Sequence, residues 1–445
     1  MRSGLPSFIT LIIALLGLGI VTTQGAEVYL HIQKGGMSKI RIAAPPFTPL
    51  AGSPTTENGL GGEMATILRQ DLRFSTLFQP IGDLSAQPQD PPGGGEGSKR
   101  PVFAAWDRQG AQFLVQGKYE RRGKTLVMEC RIYEVPQGRM IGGKRYRGHF
   151  LALRTMVHKC ADEVVYRLTG EAGIAQTKIV FLSPVQGHKE LFIMDYDGAN
   201  VYQLTYDRSL VLTPAWSPLG SELLFTSYRE GNPSLYVMRW NGTKRRPLAT
   251  YPGLNTAPAW SPDGERIALV LSKDGNAEIY TMRRDGTGLR RLTTHPAIDS
   301  APTWSPDGRQ IAFTSDRSGS PQIYIMEADG TRVRRVTYEG TFNDLPAWSP
   351  AGEYIAYTGR EESGEFNIYT IRVDGTGRRR LTAQSGDNEH PTWSPDGRLI
   401  AFASTRNGVS QIFAMNADGT NQRLILAPPG GGFSPAWSPR FSPRR

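Results

Sequence analysis

Leu254-Asn-Thr-Ala-Pro-Ala-Trp260-Ser-Pro-Asp-Gly264 is the stretch that decides the fold, because its core returns along the chain. Trp-Ser-Pro begins at Trp216, Trp260, Trp304, Trp348, Trp393 and Trp437, at steps of 44, 44, 44, 45 and 44 residues. A constant period of about 40–45 residues built from short strands is what a β-propeller writes into sequence, one four-stranded blade per period. Working outward from Trp260, Thr256–Trp260 is a short first strand and Ser-Pro-Asp263-Gly264 is turn chemistry. Arg266–Leu271 is an apolar second strand, and Glu278–Met282 a third. Asp285-Gly286 is expected to form a hairpin of the primed type. Leu289–Thr293 is the fourth strand, carrying Arg290 and Arg291.

The ends of the array set the blade count. Residues 178–205 contain second, third and fourth strands but no Trp-Ser-Pro strand, whereas the chain ends on a lone first strand, Phe433–Trp437. Six first strands match six Asp-Gly or Asn-Gly hairpins, at Gly198, Gly242, Gly286, Gly330, Gly375 and Gly419. The C-terminal strand is therefore expected beside residues 178–205. That pairing closes a six-bladed ring with no half-blade edge. The fold class is a two-domain chain: a small N-terminal α/β domain, then an all-β six-bladed β-propeller closed by the C-terminal strand.

The 445 residues divide as a signal peptide over 1–25, the α/β domain over 26–170, a hinge at 171–177 and the propeller over 178–445. Arg2, the uncharged apolar run Phe8–Val21 and Thr23-Gln-Gly-Ala26 read as an export signal. No later stretch is apolar enough to span a bilayer, so a periplasmic, monomeric protein is expected. In the N-terminal domain, residues 27–42 read as extended and Glu63–Phe74 as an amphipathic helix. Strands are expected at Phe113–Tyr119, Leu126–Glu134 and Met140–Tyr146, then a helix at Leu151–Leu168 stopped by Gly170. Pro88–Gly97 is a Pro/Gly-rich loop. Cys130 and Cys160 could pair in an oxidising compartment or remain two buried thiols.

Net charge is +10, with Arg concentrated in the fourth strands, for example Arg245-Arg246 and Arg378-Arg379-Arg380. These arginines lack interleaved aromatics and are spread round the rim. They protect outer blade edges from pairing rather than marking a nucleic-acid surface. No Gly-x-Ser-x-Gly elbow, His-Glu-x-x-His or phosphate-cradling loop occurs, and the six histidines show no ligand spacing. The chain reads as a non-enzyme with no cofactor and no metal. Asp195-Tyr-Asp197-Gly198 reads as a hairpin rather than a calcium loop. The crossings just before the first strands carry Asn255, Asp299, Asn343-Asp344 and Asn388-Glu389-His390. These should converge on one mouth of the channel, as a partner-binding rim. Asp299, Asp344 and Glu389 together could instead hold a hard cation such as calcium. That arrangement is the alternative reading, a calcium-dependent propeller hydrolase or lactonase.

After the leader, the chain resembles the TolB family of the Tol–Pal envelope system. The matching elements are Gly61-Gly-Glu63 through Asp71-Leu-Arg73, Ala161-Asp-Glu163-Val164 ending Leu168-Thr-Gly170, Met194–Gly198, Leu254–Gly264 and Pro435–Pro439. The resemblance implies a non-enzymatic adaptor whose channel mouth binds the peptidoglycan-associated lipoprotein Pal. The implied contacts are Leu254, Asn255, Thr256, Ala257, Asp299, Ser300, Ala301, Asn343, Asp344, Asn388, Glu389 and His390. It further implies that the mature N-terminus contacts the inner-membrane protein TolA, here through Ala26, Glu27, Val28, Tyr29, Leu30, His31, Ile32 and Gln33. Leu254 stands where the family carries a polar residue, and the tail Phe441–Arg445 runs past the usual end.

Overall fold

The computed structural model describes residues 39–50, 59–81, 103–362, 364–383 and 385–441. The leader, residues 27–38 of the extended stretch and the loop Pro88–Gly97 lie outside them. Each Trp-Ser-Pro period forms one antiparallel four-stranded sheet, and the second blade shows why. Arg266–Leu271 and Glu278–Arg283 pair Ile267 with Met282 and Leu269 with Tyr280. Both faces of these strands are buried, since neighbouring blades cover them. Trp260 packs against Leu224 and Leu235 of the preceding blade, so the signature residue cements one blade to another. Its turn is held by Ser261, whose hydroxyl accepts from the Arg266 amide at 2.9 Å and donates to Asp263 at 2.5 Å. Gly264 supplies the φ of 74° that a side chain would resist. Just past the fourth strand Arg290–Arg291, the Thr293 hydroxyl accepts from the Ile279 amide and donates to the buried Glu278. Thr205, Thr337 and Thr382 repeat this clasp on Glu190, Gln322 and Asn367.

The hairpin at Asp285-Gly286 departs from expectation. Only Gly286 has positive φ (93°), whereas a primed two-residue turn needs it earlier in the loop. Arg283 accepts from the Gly286 amide at 2.9 Å and donates to the Thr287 carbonyl at 2.8 Å. This is a three-residue loop with a left-handed glycine. It is favoured because the Asp285 carboxylate accepts from both the amide and the hydroxyl of Thr287.

The ring closes as the repeat count requires. Phe433–Trp437 pairs antiparallel with Lys178–Val185, with Trp437 opposite Ile179. The Trp437 indole donates to the Thr177 hydroxyl at 2.9 Å, and the Ser438 amide to the Lys178 carbonyl at 2.8 Å. The tail continues the seal. Arg440 donates to the carbonyls of Ala172 and Gly173, and Phe441 packs its ring 5.8 Å from Trp216 and 5.9 Å from Trp240. The six first strands touch their neighbours round the axis and line the channel.

The N-terminal domain contains β1 (Ile40–Ala43), β2 (Thr48–Pro49), α1 (Leu60–Phe74), β3 (Phe78–Ile81), α2 (Phe103–Arg108), β4 (Phe113–Arg122), β5 (Thr125–Glu134), β6 (Arg139–His149) and α3 (Leu153–Thr169). Its mixed sheet runs β3-β1-β4-β5-β6, with β1 parallel to both neighbours. The two long helices pack together on this sheet. α2 covers a separate cluster through Trp106, against Leu114 and Tyr133. Cys130 on β5 and Cys160 on α3 are joined as a disulfide. α3 ends at Gly170 with φ 74°. The 171–177 segment then crosses to the propeller with Ala175 and Gln176 each bonded to Asp162 at 2.8 Å. The domain's apolar core runs on into Phe181, Met194, Tyr196 and Trp437 of the propeller. Among the described residues no helix is long and apolar enough to cross a membrane.

Candidate partner-binding surface

Each first strand enters the ring through three successive positions with different fates. The first is Asn255, Asp299, Asn343 and Asn388, and all four side chains are fully buried. Asn255 Nδ2 donates to the carbonyls of Tyr251 (2.7 Å) and Pro233 (3.0 Å), while its Oδ1 accepts from the Tyr251 amide (2.9 Å). Asn343 Nδ2 donates to Glu339 O and Gln322 Oε1, and Asn388 Nδ2 to Gly386 O. Asp299 accepts from Arg317 Nη2 at 2.9 and 3.1 Å. A polar side chain here fastens the crossing loop because the loop's own backbone groups lack strand partners.

The expectation that these four converge on the mouth is therefore corrected. Asp299 is turned into its blade and spent on Arg317, so Asp299, Asp344 and Glu389 do not form one ring of ligands. They belong to two different positions of the repeat, one residue out of step, and successive residues of a strand point to opposite faces.

The second position, Thr256, Ser300, Asp344 and Glu389, keeps partial exposure toward the channel. Asp344 Oδ1 accepts from the Thr314 hydroxyl and the Leu345 amide, both at 2.7 Å. Burial nevertheless raises the Asp344 carboxyl above its usual range. Glu389 is raised by burial and then by the negative charges of Asp387 and Asp344. The third position, Thr213, Ala257, Ala301, Leu345, His390 and Ser434, is left-handed in all six blades, with φ between 46° and 57°. A bulge puts it there, directly before a proline, where that conformation is disfavoured. The amides released by the bulge find hydroxyls: Ala257 donates to Thr213 and His390 to Thr358. The His390 ring is pushed down to about 4 by burial and by Lys189. At neutral pH it is uncharged.

Ahead of the buried position stands an apolar rim. Leu254 is 37% exposed and Ile298 53%, Leu210 is exposed like Leu254, and Phe342 is half-buried. These four occupy equivalent places in consecutive blades, 44 residues apart. Phe366 extends the arc, its ring 5.3 Å from Phe342 with Arg360 stacked on both. The sequence reading named Leu254 alone. The signal for the others was available, since Leu210 and Ile298 directly precede a first strand and Phe342 opens one. The opposite end of the channel is a cavity of about 450 Å³ lined by the Pro-Ala-Trp and Pro-Thr-Trp segments of the blades. It opens on the same side as the N-terminal domain, which meets the propeller at Tyr196, Asp197 and Arg423. Segment Ala26–Gln33 lies outside the described residues.

Residues 165–441 match the model of the TolB beta propeller domain, and residues 28–141 that of the TolB amino-terminal domain. The chain belongs to the TolB family. The Tol-Pal system protein TolB of Syntrophotalea carbinolica is 42% identical over 217 residues, 49% of each chain. The TolB of Geobacter sulfurreducens is 41% identical over 217 residues, 48% of each. The chain thus spans about half the length of the curated TolB relatives it matches. The crystal structure of TolB from Acinetobacter baumannii aligns with 91% of this chain and 98% of its own, with a TM-score of 0.77 at 26% identity.

Proposed function

We propose that this protein is a non-enzymatic periplasmic adaptor of a Tol–Pal system. Its apolar rim and channel mouth bind a Pal-like lipoprotein, and its N-terminal segment Ala26–Gln33 engages a TolA-like inner-membrane protein. Such a bridge would couple the outer envelope to the inner membrane during constriction. The observation that carries the reading is the arc of exposed Leu210, Leu254 and Ile298 and half-buried Phe342 around the mouth. Large apolar side chains clustered on a rigid rim are what a docking surface needs, whereas singly scattered ones mean little. Asp344 and Glu389 inside the rim offer acceptors to a partner's donors. Of the contacts expected from the family resemblance, Leu254, Thr256, Ala257, Ser300, Ala301, Asp344, Glu389 and His390 stand where a partner could reach them. Asn255, Asp299, Asn343 and Asn388 serve by shaping the loops that carry them.

The test is calorimetry of the mature chain with its cognate Pal-like and TolA-like proteins. Binding at micromolar concentration or tighter is expected. Ile298→Asp should weaken the Pal-like partner at least about tenfold, about 1.4 kcal/mol, while leaving the TolA-like partner unaffected. Absence of binding to both partners rejects the reading.

A further inference from the structure

The two domains meet over a buried cluster of ionisable groups that the adaptor reading does not use. From α1, Asp71 Oδ2 lies 2.8 Å from His158 Nδ1 of α3, and Asp71 Oδ1 accepts from the Tyr196 hydroxyl at 2.7 Å. From α3, one turn before His158, Arg154 pairs with Asp197 of the propeller hairpin Tyr196–Gly198. Asp162 of α3 is close enough to feel Asp71 and His158. Arg423 of the adjoining blade stacks on Phe74, 3.8 Å from the ring centre, and faces Tyr196. Phe74 and Tyr196 meet edge to face at 4.8 Å. Asp71, His158 and Tyr196 are each at most 3% exposed. His158 Nε2 is buried with no hydrogen-bond partner among the described residues.

Charge balance gives this cluster a consequence. Arg154 neutralises Asp197 and Arg423 acts on Tyr196, which leaves Asp71 to be neutralised by a single proton. Placed on the imidazole or on the carboxyl, that proton makes the His158–Asp71 pair neutral overall. Without it, an uncompensated negative charge is buried where the domains touch, close to Asp197. We propose that one proton on the His158–Asp71 pair clamps the N-terminal domain to the propeller, so that raising the pH loosens the joint between them.

The sign follows from the environment. Burial opposes a charged imidazole, but the hydrogen bond and charge of Asp71 outweigh it, so His158 holds its proton more tightly than a free histidine. Burial likewise raises Asp71. A group raised in the folded state stabilises fully below its unfolded value, about 6.5 for histidine, and that contribution is lost as pH rises through the folded value. The joint is tight at mildly acidic pH and weakens toward alkaline pH. Asp71, His158 and Asp197 also offer ligand atoms within 4.8 Å of one another. The Arg154 guanidinium on Asp197 disfavours a metal ion there.

The experiment is hydrogen exchange of the full mature chain from pH 6 to 9, corrected for intrinsic exchange. The amides of Tyr196 and Gly198, bonded to Thr177 O and Asp195 O, are the reporters. Protection should fall at least about tenfold across this range in the wild type. His158→Gln, which keeps a donor toward Asp71 but does not titrate, should abolish the change, and so should Asp71→Asn. Equal pH dependence in wild type and both variants overturns the proposal. NMR titration of the wild-type His158 ring keeps it falsifiable if the variants fold poorly. A midpoint above 6.5 that coincides with the loss of protection is expected, and a midpoint at or below 6.5 overturns it. A midpoint that moves on adding a chelator would identify a metal site and overturn it equally. None of these readouts involves a partner protein, so failure here leaves the adaptor reading intact.

Discussion

The propeller and the N-terminal domain solve the same problem, burying apolar strands, by opposite means. In the propeller the main contacts are repeated: one tryptophan and one Ser-Pro turn per blade, and a threonine clasp in four of the six, each acting between neighbours in the chain. A single long-range pairing, residues 433–437 with 178–185, then converts the array into a ring. In the N-terminal domain nothing repeats. Its strand β1 lies between β3 and β4, which follow it by more than thirty residues in sequence, and a disulfide ties β5 to α3. Stability is therefore concentrated in one seam in the first region and distributed over unique contacts in the second.

Breaking the seam should give the largest effect. Removing residues 433–441 leaves an open edge on the strand Lys178–Val185 and should abolish the cooperative propeller transition in calorimetry. The point substitution Trp437→Ala, which vacates a site 6% exposed and removes the indole bond to Thr177, should cost about 3–5 kcal/mol. Spectroscopic signals from the N-terminal disulfide region should change less. The reciprocal perturbation is reduction of Cys130–Cys160, or Cys160→Ser. With a sequence separation of 30 between the cysteines, it should destabilise the N-terminal domain by about 3–4 kcal/mol. The propeller midpoint should move little, as read by separate denaturation probes in each domain.

A smaller effect separates scaffold from surface within the mouth. Asn255→Ala removes a buried side chain bonded to Tyr251 and Pro233 and should cost about 1–3 kcal/mol of propeller stability. Leu254→Asp, one residue earlier and 37% exposed, should change stability by less than about 0.5 kcal/mol. It should weaken the Pal-like partner instead, so comparing thermal midpoints with calorimetric affinity distinguishes the two roles.

The repeated half of the molecule was the legible half. Trp-Ser-Pro spacing revealed the blades and the orphan strand at the C-terminus revealed the closure, because both rest on local strand and turn preferences summed over six copies. The helices α1 and α3 and strands β4–β6 were legible from their periodicity, which is also local. Strand β3 and helix α2, of four and six residues, were not, being too short to show a period.

At the candidate site, sequence placed the crossing loops at one end of the channel but did not show which of their side chains are exposed there. Asn255 and Asp299 look like binding residues on composition, yet serve as braces, because a crossing loop must satisfy its own backbone before it can present anything. Leu210, Ile298 and Phe342, one residue ahead of the braces, form the rim. The Asp197 hairpin read as one turn among six and turned out to be the propeller's grip on α3.

Sequence by itself determined the blade number, the ring closure and the family, since the repeat defines each blade's strands and leaves one unmatched strand at its C-terminal end to fill the one gap at its start. The tertiary structure decided which face of each first strand meets solvent, the pairing of Cys130 with Cys160, and the burial of Asp71, His158 and Tyr196 at one joint. Those outcomes depend on a one-residue bulge and on the docking of segments far apart in the chain, and no local pattern encodes either.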